Sequence, residues 1–204
     1  MSATPIQSTR MKTPSKITDM ITPHLKQSAR EIQRFGTVIE DLPIGLDAKV
    51  REKVCAFLNM LLADTMCLRD LYKKAHWQVA GPTFYPLHLL LDKHFAEQSE
   101  LVDQIAERIQ MLGGVSVAMA HDVADMARVK RAPRGREEAP VMISRLLEAH
   151  EMILMDGRGR AEQAAELGDV GTNDLLAGNL VRTNEMQVWF LSSHLVEMPL
   201  TDAQ

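Results

Sequence analysis

Beyond Gly81-Pro82, apolar residues recur at helical spacing, at Leu87, Leu90, Leu91, Phe95, Leu101, Val102, Ile105, Ile109 and Leu112, and the run stops at Gly113-Gly114. The same predicted helix carries His88, Asp92, Asp103 and Glu107. Each pair is spaced i,i+4, so its members are neighbours on one face. At about 100° per residue, all four side chains fall within an arc of roughly 100°. Along the axis, however, Asp92 and Asp103 are about 16 Å apart at 1.5 Å per residue, whereas metal–ligand bonds run about 2.0 to 2.6 Å. One helix cannot close these four around a single ion. Two copies packed antiparallel about a two-fold axis near residues 97 and 98 would set His88 and Asp92 of one against Glu107 and Asp103 of the other, generating two equivalent sites. His76 is a fifth candidate ligand, because a turn at Gly81-Pro82 can fold the preceding helix end back beside His88. Imidazole with carboxylates suits iron or manganese, and zinc as a substitute. The bland alternative is a solvated polar stripe, which explains any one pair better than it explains five such residues together.

The chain has 204 residues, enough for one domain with a sizeable core. Aromatics make up 4% while Met numbers 13, a balance that favours helices over sheets and predicts an all-α protein. A formal net charge of -4 argues against nucleic-acid binding over the whole surface, so any such contact is local. Cys55 and Cys67 are about 18 Å apart along one predicted helix, beyond disulfide reach. No apolar run is long enough to span a bilayer and no signal peptide is apparent, so no membrane association and a reducing cytoplasm are expected.

The pattern HW-x3-GP-x-F-x3-H-x3-D, then D-x3-ER and LGG, resembles the Dps family, the mini-ferritins that protect DNA during starvation. It is carried by His76, Trp77, Gly81, Pro82, Phe84, His88, Asp92, Asp103, Glu107, Arg108, Leu112 and Gly113. The resemblance implies a ferritin-like four-helix bundle with a short helix in its long cross-connection, assembled as a hollow dodecamer. It also implies a ferroxidase that oxidises Fe(II) with hydrogen peroxide or dioxygen and stores Fe(III). His76, His88 and Asp92 would come from one subunit, Asp103 and Glu107 from its partner, and Trp77 would lie beside the iron and donate an electron. The absence of any Glu-x-x-His motif disfavours an iron centre inside each bundle. A DNA-compacting structural protein with a vestigial or zinc-occupied site is the alternative.

Residues 1–45 read as an N-terminal extension, mostly tail, with a possible short helix between Asp19 and Pro43. Arg10, Lys12 and Lys16 are candidate DNA contacts through the phosphates, which would associate the shell with the nucleoid; a merely solvated tail stays open. Residues 46–198 form the bundle domain, and 199–204 a short C-terminal tail. The first long helix is predicted from an Asp47 cap to about Val79, with Arg51 outward and Trp77 read first as core. The second covers Tyr85 to Leu112, a short one lies near His121 to Arg128, the third runs from Glu137 to Leu167, and the last starts with Thr172 as cap and buries Trp189. His150 reads as a hydrogen-bonded core residue, Arg108 as a partner for a carboxylate, and the basic cluster from Arg128 to Arg136 as a solvated loop or a contact surface. By resemblance, acids near Gly168 would line the iron-entry pores: Asp174 directly, with Glu166 and Asp169 beside the remaining positions.

Overall fold

The computed structural model describes residues 30–196. Two units are distinguished, and the first contributes only residues 30–33, without helix or strand. The second unit, from Arg34, is all-helical among its described residues: α1 Ala48–Gln78, α2 Phe84–Met111, α3 Ala120–Met126, α4 Ala139–Glu166, α5 Val170–Asp174, a π-helical stretch Leu175–Val181 that continues it, and α6 Arg182–Ser193. α1 packs antiparallel on α2, and α4 on the composite α5–π–α6 helix. The two hairpins join along α1 and α4, with residues 112–138 crossing between them and carrying α3. This is a four-helix bundle with a ferritin-like cross-connection.

The helix ends follow local chemistry. Asp47 Oδ1 accepts from the Lys49 amide at 2.8 Å, capping α1. α2 and α4 both close through Gly113 (φ 77°) and Gly168 (φ 79°), conformations that only glycine adopts without strain. Gly113 N–H donates to Gln110 O and Gly114 N–H to Ile109 O, while Gly168 and Asp169 repeat the pattern on Ala165 and Ala164. That exit places Asp169, rather than Thr172, at the head of α5: Asp169 Oδ1 accepts from the Thr172 amide at 3.0 Å.

Leu58, Leu61, Leu62, Leu68, Ile105, Ile109, Leu112, Ile153, Leu176, Leu180 and Leu191 close the core, each under 2% exposed. α4 approaches the π stretch so closely at Gly157 that a Cβ there would lie 2.5 Å from Leu180 Cδ2. Arg51 is buried, contrary to the outward position expected from its charge. Its guanidinium donates to the carbonyls of Ile39, Glu40, Leu46 and Leu112, pinning the strap before α1 against the end of α2. Residues 30–43 form no helix, and the start of the expected Asp19–Pro43 helix lies outside the described residues. Arg128 is structural as well: it donates to both oxygens of Asp64, which is fully buried, and to Asp156 at 2.7 Å. Trp77 and Trp189, expected in the core, are 70% and 66% exposed. Helical periodicity marks an apolar face without saying which chain covers it.

Candidate metal centre

The five-residue turn between α1 and α2 folds His76 back onto His88. Their rings stack with centroids 3.8 Å apart, planes 20° from parallel. His76 Nδ1 lies 2.8 Å from the His88 carbonyl oxygen, and His88 Nδ1 lies 3.0 Å from the His76 carbonyl oxygen. A carbonyl only accepts, so in each neutral ring Nδ1 carries the proton and Nε2 keeps its lone pair. The two backbone carbonyls thus fix the orientation of both rings, as an outer hydrogen-bond acceptor does for a histidine that ligates a metal. Phe84, one turn before His88 on α2, packs beside its ring at 5.1 Å.

Asp92 follows one turn after His88, half exposed, with Oδ1 3.9 Å from His76 Nε2. Lys73, one turn before Trp77 on α1, ion-pairs with the same oxygen and holds the carboxyl below the usual carboxylate range. The Lys73 ammonium also sits 4.4 Å from the centre of the Phe95 ring. His76, His88 and Asp92 are thus brought together. Asp103 and Glu107 are exposed further along the same continuous α2, away from this cluster. Among the described residues, no three His, Cys, Asp or Glu side chains of one chain close on a single metal position.

The ferritin-like domain family matches residues 55–201. DpsC from Streptomyces coelicolor superposes with a TM-score of 0.82 at 54% identity, covering 85% of this chain and all of that one. A nutrient stress-induced DNA-binding protein of Nostoc is 34% identical over 83% of this chain and 91% of its own length. The chain belongs to the Dps family. An archaeal Dps homologue from Halobacterium salinarum also superposes at a TM-score of 0.80 with 26% identity, over 85% of this chain and 96% of that one.

Two further groups of polar side chains tie the helices of this Dps chain together. Arg108, directly after Glu107, donates to Asp169 Oδ1 at 2.6 Å and to Thr172 Oγ1 at 3.0 Å, tying α2 to the head of α5. Asp169 is 1% exposed and both its oxygens are engaged, so Glu166 and Asp174 are the exposed acids near this corner. The other group was not read from the sequence. Tyr72, His94, Gln98, His150, Asn184 and Gln187, all buried, form a polar cluster at the bundle centre. Tyr72 Oη is 2.5 Å from His150 Nε2, and His150 Nδ1 is 2.7 Å from Asn184 Oδ1. Gln98 Nε2 donates to Asn184 and Gln187, and Gln187 donates to Glu97 at 2.9 Å. Single polar residues scattered over four helices give no sequence motif. The two thiols are free: burial pushes Cys55 up to about 11 and raises Cys67. Arg10, Lys12 and Lys16 lie outside the described residues. No helix among the described residues is long and apolar enough to cross a membrane.

Proposed function

We propose that the chain assembles as a hollow shell of twelve subunits that oxidises Fe(II) at two-fold intersubunit sites and stores the Fe(III) as mineral, protecting DNA from oxidative damage. The observation that carries this reading is the reciprocal His76–His88 pair, which presents two Nε2 lone pairs beside the Asp92 carboxylate. Imidazole nitrogen with carboxylate oxygen suits Fe(II). The partner subunit's Asp103 and Glu107 complete the site, because the same helix places them about 16 Å and about 22 Å along its axis from Asp92 in the chain's own frame. Three carboxylates raise the local negative charge and favour the Fe(III) product.

The chain's own groups bind and orient Fe(II), the substrate. Lys73 keeps Asp92 ionised and shares it with iron as iron arrives. Two electrons from Fe(II) reduce hydrogen peroxide, or more slowly dioxygen, which removes both reagents of hydroxyl-radical formation together. Glu166 and Asp174 supply negative charge for iron entry at the pores. The tails contact DNA through Arg10, Lys12 and Lys16, weakly per subunit and more strongly when many engage at once.

Anaerobic protein loaded with Fe(II) and mixed with peroxide tests this. Wild type should consume about two Fe(II) per peroxide, and Asp92→Ala should be at least about tenfold slower while eluting as the same assembly. Equal rates in wild type, variant and buffer would overturn the ferroxidase reading and leave a DNA-compacting protein with a zinc-held or vestigial site.

A further inference from the structure

The polar cluster at the bundle centre has a fixed sense of hydrogen bonding. Asn184 Nδ2 donates to the Leu180 carbonyl at 2.7 Å, which turns Asn184 Oδ1 toward His150. An amide oxygen only accepts, so His150 carries its proton on Nδ1 and a lone pair on Nε2. Tyr72 O–H therefore donates to His150 Nε2, across 2.5 Å, with both groups fully buried. The result is a phenol bonded to a neutral base in a buried, low-dielectric core, contributed by α1, α4 and α6. Burial raises the Tyr72 phenol well above its usual value and holds His150 down at about 3, so both rest neutral.

Tyr72 also lies one helical turn before His76 on α1, a rise of about 6 Å. Lys73, beside it, places a positive charge on Asp92, which opposes the crowding of a second cation into the site. A site holding one Fe(II) delivers one electron, whereas peroxide must take two to become two hydroxides without releasing a hydroxyl radical. We infer that Tyr72 supplies the second electron and passes its proton to His150. This rests on the ferroxidase reading. Fe(II), the Tyr72 phenol, neutral His150 and hydrogen peroxide become Fe(III), the neutral Tyr72 phenoxyl radical, protonated His150 and two hydroxide ions: the peroxide O–O bond breaks, one electron leaves iron and one leaves the phenol. The proton must leave with the electron, because a buried radical cation has no solvation, and the oxidised phenol is a far stronger acid than an imidazolium. A later Fe(II) reduces the radical while His150 returns the proton, so two Fe(II) are still consumed per peroxide overall.

The chain has only two tyrosines, Tyr72 and the exposed Tyr85, which makes the test direct. Protein loaded anaerobically with less than one Fe(II) per site is mixed with peroxide, frozen rapidly and examined by electron paramagnetic resonance, with a hydroxyl-radical spin trap in a parallel sample. A tyrosyl signal is expected in wild type and in Tyr85→Phe, where Tyr72 is the sole tyrosine. It should be lost in Tyr72→Phe, with several-fold more trapped hydroxyl radical, and lost or strongly reduced in His150→Gln, which keeps an acceptor but no base. Normal iron oxidation without a tyrosyl signal in wild type and Tyr85→Phe overturns the Tyr72 assignment and leaves the ferroxidase standing. So does a signal that survives in Tyr72→Phe. Failure of wild type to oxidise iron faster than buffer overturns both.

Discussion

His94 makes plain how much a single buried side chain can weigh. It is fully buried, its ring meets Tyr72 edge-on at 5.3 Å, and among the described residues neither ring nitrogen has a hydrogen-bond partner; Gln98 Oε1, one turn along α2, likewise has none there. Burying an unsatisfied polar group costs about 1–3 kcal/mol. His94→Leu is therefore expected to stabilise the subunit by about 1 kcal/mol at neutral pH, read as a higher urea midpoint at unchanged slope. The pH dependence follows from the same burial. His94 is held down at about 4 and His150 at about 3, against an ordinary value of 6.5. Between pH 6.5 and those values the unfolded chain binds protons that the folded chain refuses, so the stability present above pH 6.5 is lost as the pH falls through that window. Two such groups give a slope of at most about 2.7 kcal/mol per pH unit per subunit. Denaturation curves between pH 6.5 and 5 should show this fall, and His94→Leu should roughly halve it.

At the scale of elements, periodicity and stop signals in the sequence placed α1, α2, α3 and α4 to within a few residues, because each is amphipathic and bounded by a cap, a glycine or a proline. The π-helical stretch Leu175–Val181 was not legible: its widened turn depends on what α4 presents to it, including the bare Gly157 backbone, and not on a local pattern. Long-range charge pairs were hidden for the same reason. Arg51 and Arg128 look like solvated cations in sequence, yet one is capped by four carbonyls and the other by two carboxylates far along the chain. The approach of His76 to His88 and Asp92 was legible, since i,i+4 spacing and one short turn are local geometry, whereas the Lys73 contact to Asp92 spans the helix hairpin and was missed. Asp64 holds the cross-connection on α1 by accepting from the Arg128 and Val129 amides as well as the guanidinium. Asp64→Ala leaves those donors without their buried acceptor and should cost about 3 kcal/mol, seen as a lower thermal midpoint and faster amide exchange in residues 120–131.

For the whole molecule, the separation of Asp92 from Glu107 along one rigid helix makes a prediction that no single-chain site shares. If each site takes Asp92 from one subunit and Glu107 from its two-fold partner, Asp92→Ala and Glu107→Ala homo-oligomers each contain only damaged sites. A two-fold pair built from one of each differs. One of its sites carries both substitutions, and the other draws its native Asp92 from the Glu107→Ala chain and its native Glu107 from the Asp92→Ala chain. Random mixing of the two chains makes half of the pairs hybrid, and half of the sites in each hybrid intact, so about a quarter of wild-type peroxide-driven iron oxidation should return. Co-expression with distinguishable tags, purification of the doubly tagged shells and measurement of initial rates gives the readout. Shells isolated separately and mixed only in the cuvette should recover nothing as long as each shell keeps its own subunits, which the tags report. Recovery in co-assembled shells alone would place the reacting iron between subunits. A rate no higher than either parent in shells that are demonstrably hybrid would mean that His76, His88 and Asp92 act without the partner subunit's Glu107, and that the exposed carboxylates of α2 serve the surface of the bundle instead.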